Sequence, residues 1–170
     1  MEWLNGQPTI KGEDFGFREF LESVDAMIMG RNTFETVVQF GKEAWAYGEL
    51  QIFVVTRGDA SKIKVPDWVS DTVTVKSIDS LENFWDELQK SHVPAYKNIY
   101  IDGGSTIRSF LKAGLLDRIT LTRIPLLLGE GTPLFDGNTS KQLVLTHLST
   151  KSYSNGFVTS SYEIKYDTRK

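Results

Sequence analysis

Asn98-Ile99-Tyr100-Ile101-Asp102-Gly103-Gly104-Ser105-Thr106-Ile107 is the stretch whose reading decides the fold. β-Branched and aromatic residues run up to Asp102, two glycines break the run, and Ile107, Phe110 and Leu111 then recur at helical spacing. That pattern predicts a strand, a tight turn and a helix. The turn carries the chemistry. Paired glycines leave the backbone N–H groups of Gly104, Ser105 and Thr106 bare at a helix N-terminus, where unpaired donors and the helix dipole favour a phosphate or pyrophosphate. A purely conformational reading stands beside it, in which the glycines only permit positive φ and a close strand-to-helix turn.

Upstream, the same design repeats. Phe17, Phe20, Leu21 and Val24 fall on one helical face, with Glu13 and Asp14 in the first turn. Ala26-Met27-Ile28-Met29 reads as a short buried strand that runs straight into Gly30-Arg31-Asn32-Thr33-Phe34-Glu35. Asn32 or Thr33 is the candidate cap of the next helix, and Asn32 with Glu35 has capping-box spacing. Ile52 to Val55 form a third apolar strand ending at Thr56-Arg57-Gly58-Asp59, a hydroxyl and a cation at its end. Thr72 to Val75 alternate as a fourth, and Asp79 with Glu82 opens a helix bearing Leu81, Phe84, Trp85 and Leu88.

Downstream the character changes. After Gly114, a candidate helix C-cap, Ile119 and Leu121 alternate with threonines, and two further alternating segments, 143–148 and 158–166, flank a Ser154-Asn155-Gly156 hairpin signal. Alternating strands and helices followed by strands alone predict an α/β three-layer sandwich, a mixed central sheet with helices on both faces. At 170 residues, with no repeat, linker or low-complexity segment, the expectation is a single domain over 1–170. Residues 1–8 carry turn formers without a period and read as loop, with Trp3 a candidate buried anchor.

Composition removes several functions. A net charge of −3 argues against nucleic acid or an anionic membrane as the main partner. The absence of cysteine excludes disulfides, thiolate metal sites and a cysteine nucleophile. No apolar run approaches a membrane span and no leader is visible, so a soluble, cytoplasmic protein is expected. His92 and His147 have no second histidine at ligand spacing, so no metal site is expected and a surface or packing role is assigned to each.

Three strand ends therefore carry candidate anion groups, at 30–33, 56–57 and 103–106, and ligands of open α/β sheets bind outside such ends. Taken together, Met29-Gly30-Arg31-Asn32-Thr33-Phe34-Glu35, Val55-Thr56-Arg57 and Ile101-Asp102-Gly103-Gly104-Ser105 resemble the dihydrofolate reductase-like family. The ending, Ala113-Gly114-Leu115-Leu116-Asp117 through Leu128-Gly129-Glu130-Gly131-Thr132-Pro133-Leu134-Phe135, is similar to its riboflavin-biosynthesis reductase branch. The resemblance implies NADPH as cofactor. On it, Gly30, Arg31, Asn32 and Thr33 hold cofactor phosphates, Thr56 and Arg57 face the adenosine 2′-phosphate, and Asp102, Gly103, Gly104, Ser105, Thr106 and Ile107 wrap the pyrophosphate. A 2′-phosphate needs a cation in reach, which Arg31 or Arg57 supplies; a solvated surface charge is the competing reading of either.

The resemblance further implies hydride transfer to a small heterocyclic substrate or its ribosyl group, as in 5-amino-6-(5-phosphoribosylamino)uracil reductase, with a dihydrofolate or pteridine reductase and a non-catalytic nucleotide-binding protein as alternatives. Asp14 matches the family's pterin-binding carboxylate and is the candidate catalytic group; capping its own helix is the alternative. Trp3 and Arg18 are candidate substrate contacts, Arg18 suiting an anionic tail. The family's first apolar strand has no counterpart here, so a gap, a rearranged strand or a partner-supplied strand is expected at the sheet centre. A homodimer is expected, the late antiparallel strands offering an edge or face for it.

Overall fold

The structure is a computed structural model and describes residues 6, 10–91, 96–135 and 142–166. Its main elements run α1 (Phe17–Glu22), β1 (Ala26–Gly30), α2 (Arg31–Gln39), β2 (Gln51–Thr56), β3 (Val73–Ser77) and α3 (Leu81–Ser91), then β4 (Ile99–Asp102), α4 (Gly104–Ala113), β5 (Arg118–Arg123), β6 (Val144–Ser152) and β7 (Val158–Lys165).

Strands β3-β2-β1-β4 form a parallel sheet in that order. A parallel strand must be covered on both faces, which is why Ala26 to Met29 and Ile52 to Val55 are apolar at every position and all buried. Successive side chains point to opposite faces. Ala26, Ile28, Phe53, Val55 and Ile101 therefore meet Phe84 and Leu88 of α3 and Phe110 of α4, while Met27, Met29, Ile52 and Val54 meet Phe34 of α2 with Ile63 and Val69. The result is the expected α/β architecture with helices on both faces.

Strands β5-β7-β6 form a second, antiparallel sheet. Its inner face packs Ile119 and Ile164 on Leu111 of α4, and its outer face pairs hydroxyls across strands, Thr120 with Ser161 at 2.9 Å and Thr122 with Thr159 at 2.8 Å. Among the described residues the expected mixed sheet is thus hydrogen-bonded as two sheets, with β4 and β5 each leaving one edge unpaired. Helix α4 bridges them, Phe110 entering one core and Leu111 the other. The expected missing first strand concerns residues that lie mostly outside the described ones; among the described residues no strand precedes β1.

Two helix starts differ from the sequence reading. Strand β1 runs directly to Gly30, whose extended backbone (ψ 157°) makes it the cap of α2, so Asn32 and Thr33 fall inside the first turn and no side chain caps it. Helix α3 is capped one residue later than Asp79, by the Ser80 hydroxyl accepting the Asn83 N–H at 3.1 Å. Gly114 takes the left-handed C-cap of α4 (φ 70°), as its position predicts.

Phe110 is fully buried where α3, α4 and the parallel sheet meet. Phe110→Ala is expected to lower the unfolding free energy by about 3–5 kcal/mol, through lost transfer energy and the cavity left behind, whereas Thr122→Ala on the exposed face should change it by less than about 1 kcal/mol. Equilibrium urea unfolding of the two variants checks the contrast.

Candidate functional site

The order of the parallel sheet reverses at β1. The chain moves from β1 to β2 and β3 on one side, then returns with β4 on the other. Helices α2 and α4, which follow β1 and β4, leave toward opposite faces, and the carboxyl ends of two such strands are where open α/β sheets form their ligand crevice. Register aligns the ends: Met29 stands opposite both Val54 and Asp102, which brings Gly30, Thr56 and Gly103 to one edge of the sheet.

Glycine caps both helices, and neither cap has a side-chain hydrogen bond. The leading N–H groups of α2 and α4 therefore point into the crevice without intrahelical partners, side by side. Their closeness depends on what the glycines lack. A Cβ on Gly30 would stand 2.8 Å from the Thr106 hydroxyl oxygen, and a Cβ on Gly103 would run into the Thr33 hydroxyl oxygen. Each glycine is thus filled by a threonine of the other helix, and Gly103 also holds φ at 91°, a conformation that side chains resist.

The other sequence candidates fall around this cradle in different ways. Thr56 ends β2 half-buried, its hydroxyl accepting the Gly58 N–H at 3.0 Å, and Arg57 follows it exposed. Arg31 pairs with Glu35 at 3.7 Å with both side chains about half exposed, a contact that water screens and that leaves the cation accessible. Asn32 and Ser105 are exposed, Thr106 is buried, and Ile107 packs into the core, so it offers the site its backbone only. Trp3 and His92 lie outside the described residues. His147, on β6, meets Tyr162 edge-on and shares a hydrogen bond with Thr150 at 2.8 Å.

Asp14 and Arg18 sit at the start of α1. The Asp14 carboxylate accepts the N–H groups of Gly16 and Arg18, each at 3.0 Å, and these bonds hold its pKa below the ordinary value. Between them Phe15 adopts φ 58°, rare for a bulky side chain, and places its ring 4.9 Å from Tyr153 and 5.0 Å from Phe157. Helix α1 then lays Phe17 against Tyr47 and Phe20 against Tyr100, ring centroids 6.3 and 4.9 Å apart.

Both tyrosines lie near enough to Asp102 to feel its charge. Tyr100 shares a face of β4 with it, and Asp102 Oδ1 accepts the Gly103 N–H at 2.8 Å. Burial pushes the Asp102 pKa upward, and the Gly103 N–H and the neighbouring Tyr100 hydroxyl oppose the shift without cancelling it. Burial, then the charge of Asp102, pushes Tyr47 up to about 12. Tyr100 is raised by the same causes in the same order. The crevice therefore holds a half-buried carboxyl walled by aromatic rings at a helix N-terminus, able to accept N–H groups from a flat ring or to keep a proton. Tyr100 was legible from its alternation with Asp102; Tyr47 lies in a loop with no periodic signal.

Among the described residues no cluster of metal-ligating side chains occurs, and no helix is long and apolar enough to cross a membrane. Comparison with known proteins agrees with this architecture. Residues 2–159 match the RibD C-terminal domain family. The chain is 28% identical to YyaP, an uncharacterized protein of Bacillus subtilis, over 93% of this chain and 85% of that one. It is 29% identical to YwjB of the same organism, also uncharacterized, over 79% and 71% of the two chains. Its structure superposes on a Shewanella sp. PV-4 protein designated for riboflavin biosynthesis with TM-score 0.80 and 31% identity, covering 98% of this chain and 88% of that one. A pyrimidine reductase-like protein of Corynebacterium diphtheriae aligns with TM-score 0.63 over 96% and 89%, and at 19% identity that likeness speaks for the fold alone.

The Asp102 environment sets a pH dependence. A folded pKa above the ordinary carboxylate value means that the native state keeps a proton the unfolded chain has released. The stability from this group is present below the unfolded pKa and is lost as pH rises through the folded one. Asp102→Asn should therefore gain melting temperature relative to the parent as pH rises from the ordinary carboxylate value until the folded group has ionised. Paired thermal melts across that range check it, and a difference that stays flat or falls contradicts the assignment.

Proposed function

Because the chain belongs to the RibD C-terminal domain family, we propose that it is an NADPH-dependent reductase acting on a small nitrogen heterocycle or on the ribosyl group attached to it. Family membership and the Shewanella neighbour support an oxidoreductase of the reductase-like class. The observation that carries the finer reading is the pair of uncapped helix starts at the β1/β4 reversal, interlocked through Gly30 with Thr106 and Gly103 with Thr33. Two rows of unpaired N–H donors and two dipole ends facing one crevice fit a diphosphate.

In this reading the first turn of α2, from Gly30 to Thr33, and the first turn of α4, from Gly103 to Ile107, hold the cofactor's phosphates through backbone amides. Arg57, with Arg31 as a second cation, takes the 2′-phosphate and sets the preference for NADPH over NADH. When bound, the cofactor supplies the hydride; the protein supplies orientation and charge. Asp102, closed in by Tyr47 and Tyr100, receives the N–H edge of the heterocycle and holds a proton near the reacting ring. Asp14 secures α1 through its two backbone bonds, and the exposed Arg18 on that helix meets an anionic tail such as a sugar phosphate. A substrate of the ribosylaminopyrimidine kind satisfies both groups. The homodimer belongs to the same proposal, with the long edge strand β6 and its exposed Val144, Leu145 and Leu148 as the joining surface.

Titrating NADPH against tryptophan fluorescence, then following its absorbance with aminopyrimidine and pterin substrates, tests the reading. Arg57→Ala should weaken NADPH binding by about 10- to 100-fold and leave NADH nearly unchanged, as loss of a charge-assisted bond requires. Equal loss for both cofactors would remove Arg57 from the 2′-phosphate, and no binding of either would overturn the reductase assignment.

A further inference from the structure

Arg108 was singled out neither by its spacing nor by a motif, yet it joins two parts of the molecule that lie far apart in sequence. It stands four residues after Gly104 on α4, and helical side chains lean back toward the N-terminus of their helix. Arg108 follows this rule. Its Nη1 lies 3.3 Å from where a Cβ on Gly104 would be, so the guanidinium rests on the first turn of the helix in space that glycine leaves open. The same nitrogen donates to the Pro133 carbonyl at 2.9 Å.

Pro133 belongs to the 129–135 loop, in which Gly129 and Gly131 hold φ at 77° and 147° and the neighbouring Leu127, Leu128 and Phe135 are exposed. A segment with positive-φ glycines and little buried apolar surface has a low barrier to local opening. Its hydrogen bond to Arg108 ties it to the helix start. A guanidinium carries five N–H donors in a planar fork, so one that bonds groups of its own chain can meet a phosphate oxygen as well.

We propose that Arg108 is a positioning residue that closes the 129–135 loop over an anionic group seated at the start of α4, gripping the Pro133 carbonyl and the anion with different donors of one guanidinium. The inference rests on the cofactor reading given above and adds to it a moving part. Occupancy of the cradle sharpens the position of the guanidinium, because a bond to a charged acceptor is stronger than one to a carbonyl, and the loop is ordered with it.

Glu130 lies within the loop and makes it readable by a glutamate-specific protease. Cleavage after Glu130 is followed by mass spectrometry on the full chain, with and without NADPH and with inorganic pyrophosphate as a smaller probe. In the parent, saturating ligand should slow this cleavage by about 10-fold, because cleavage follows the population of the open loop. Arg108→Met should be cut several-fold faster without ligand and gain less than about twofold protection from it, while Arg108→Lys, which keeps the charge but not the fork, should fall between. Thermal melts establish that each variant is folded, and Arg108→Lys decides the question if Arg108→Met is not. Parent binding with the same cleavage and the same protection in the variants overturns the role of Arg108 alone. Failure of the parent to bind either NADPH or pyrophosphate overturns the cofactor reading, and the closing role with it.

Discussion

Two missing β-carbons set the geometry on which the rest of the structure depends. Gly30 ends β1 and Gly103 follows β4, and each leaves a space that a threonine of the opposite helix occupies. A larger residue at either place would drive α2 and α4 apart, and their N-termini would face solvent separately. Packed as they are, two helix starts lie side by side, their leading amides without intrahelical partners. The strand order that brings β1 beside β4 is therefore inseparable from the chemistry of the site.

Asp102 shows which physical effect wins inside that crevice. It precedes the positive end of α4, accepts one backbone N–H and lies beside the Tyr100 hydroxyl, all of which favour the ionised form. Burial against aromatic rings outweighs them and raises its pKa. A carboxyl poised by opposing influences can exchange a proton with a bound ring at lower cost than a fully solvated or fully paired one, which Asp14, with its two backbone bonds, exemplifies.

Much of this was legible in the sequence because the parallel strands have no polar side to conceal their ends. Apolar runs at 26–29 and 52–55 stop at Gly30 and Thr56, the run at 99–101 reaches Gly103 through Asp102, and the structure gathers those strand ends on one edge. Caps were harder to read. Asn32 has the right chemistry for a cap but stands inside the first turn, since β1 passes into α2 with no intervening loop. Tyr47 and Arg108 were invisible for a different reason: the partners that give them meaning, Asp102 and Pro133, are brought to them only by tertiary packing. The same holds for the division into two sheets, which follows from hydrogen-bond register and leaves no mark in alternation.

Phe15 has a consequence for how this scaffold can diversify. Its unfavourable backbone angle is held by ring contacts to Tyr153 and Phe157, so the stem that carries α1 is plugged into the hairpin between β6 and β7. The contacts of Phe17 with Tyr47 and of Phe20 with Tyr100 are in this way indexed to a turn more than 130 residues further along the chain. Selection acting on that distant hairpin can shift these aromatic contacts while leaving the interlocked starts of α2 and α4 where they are.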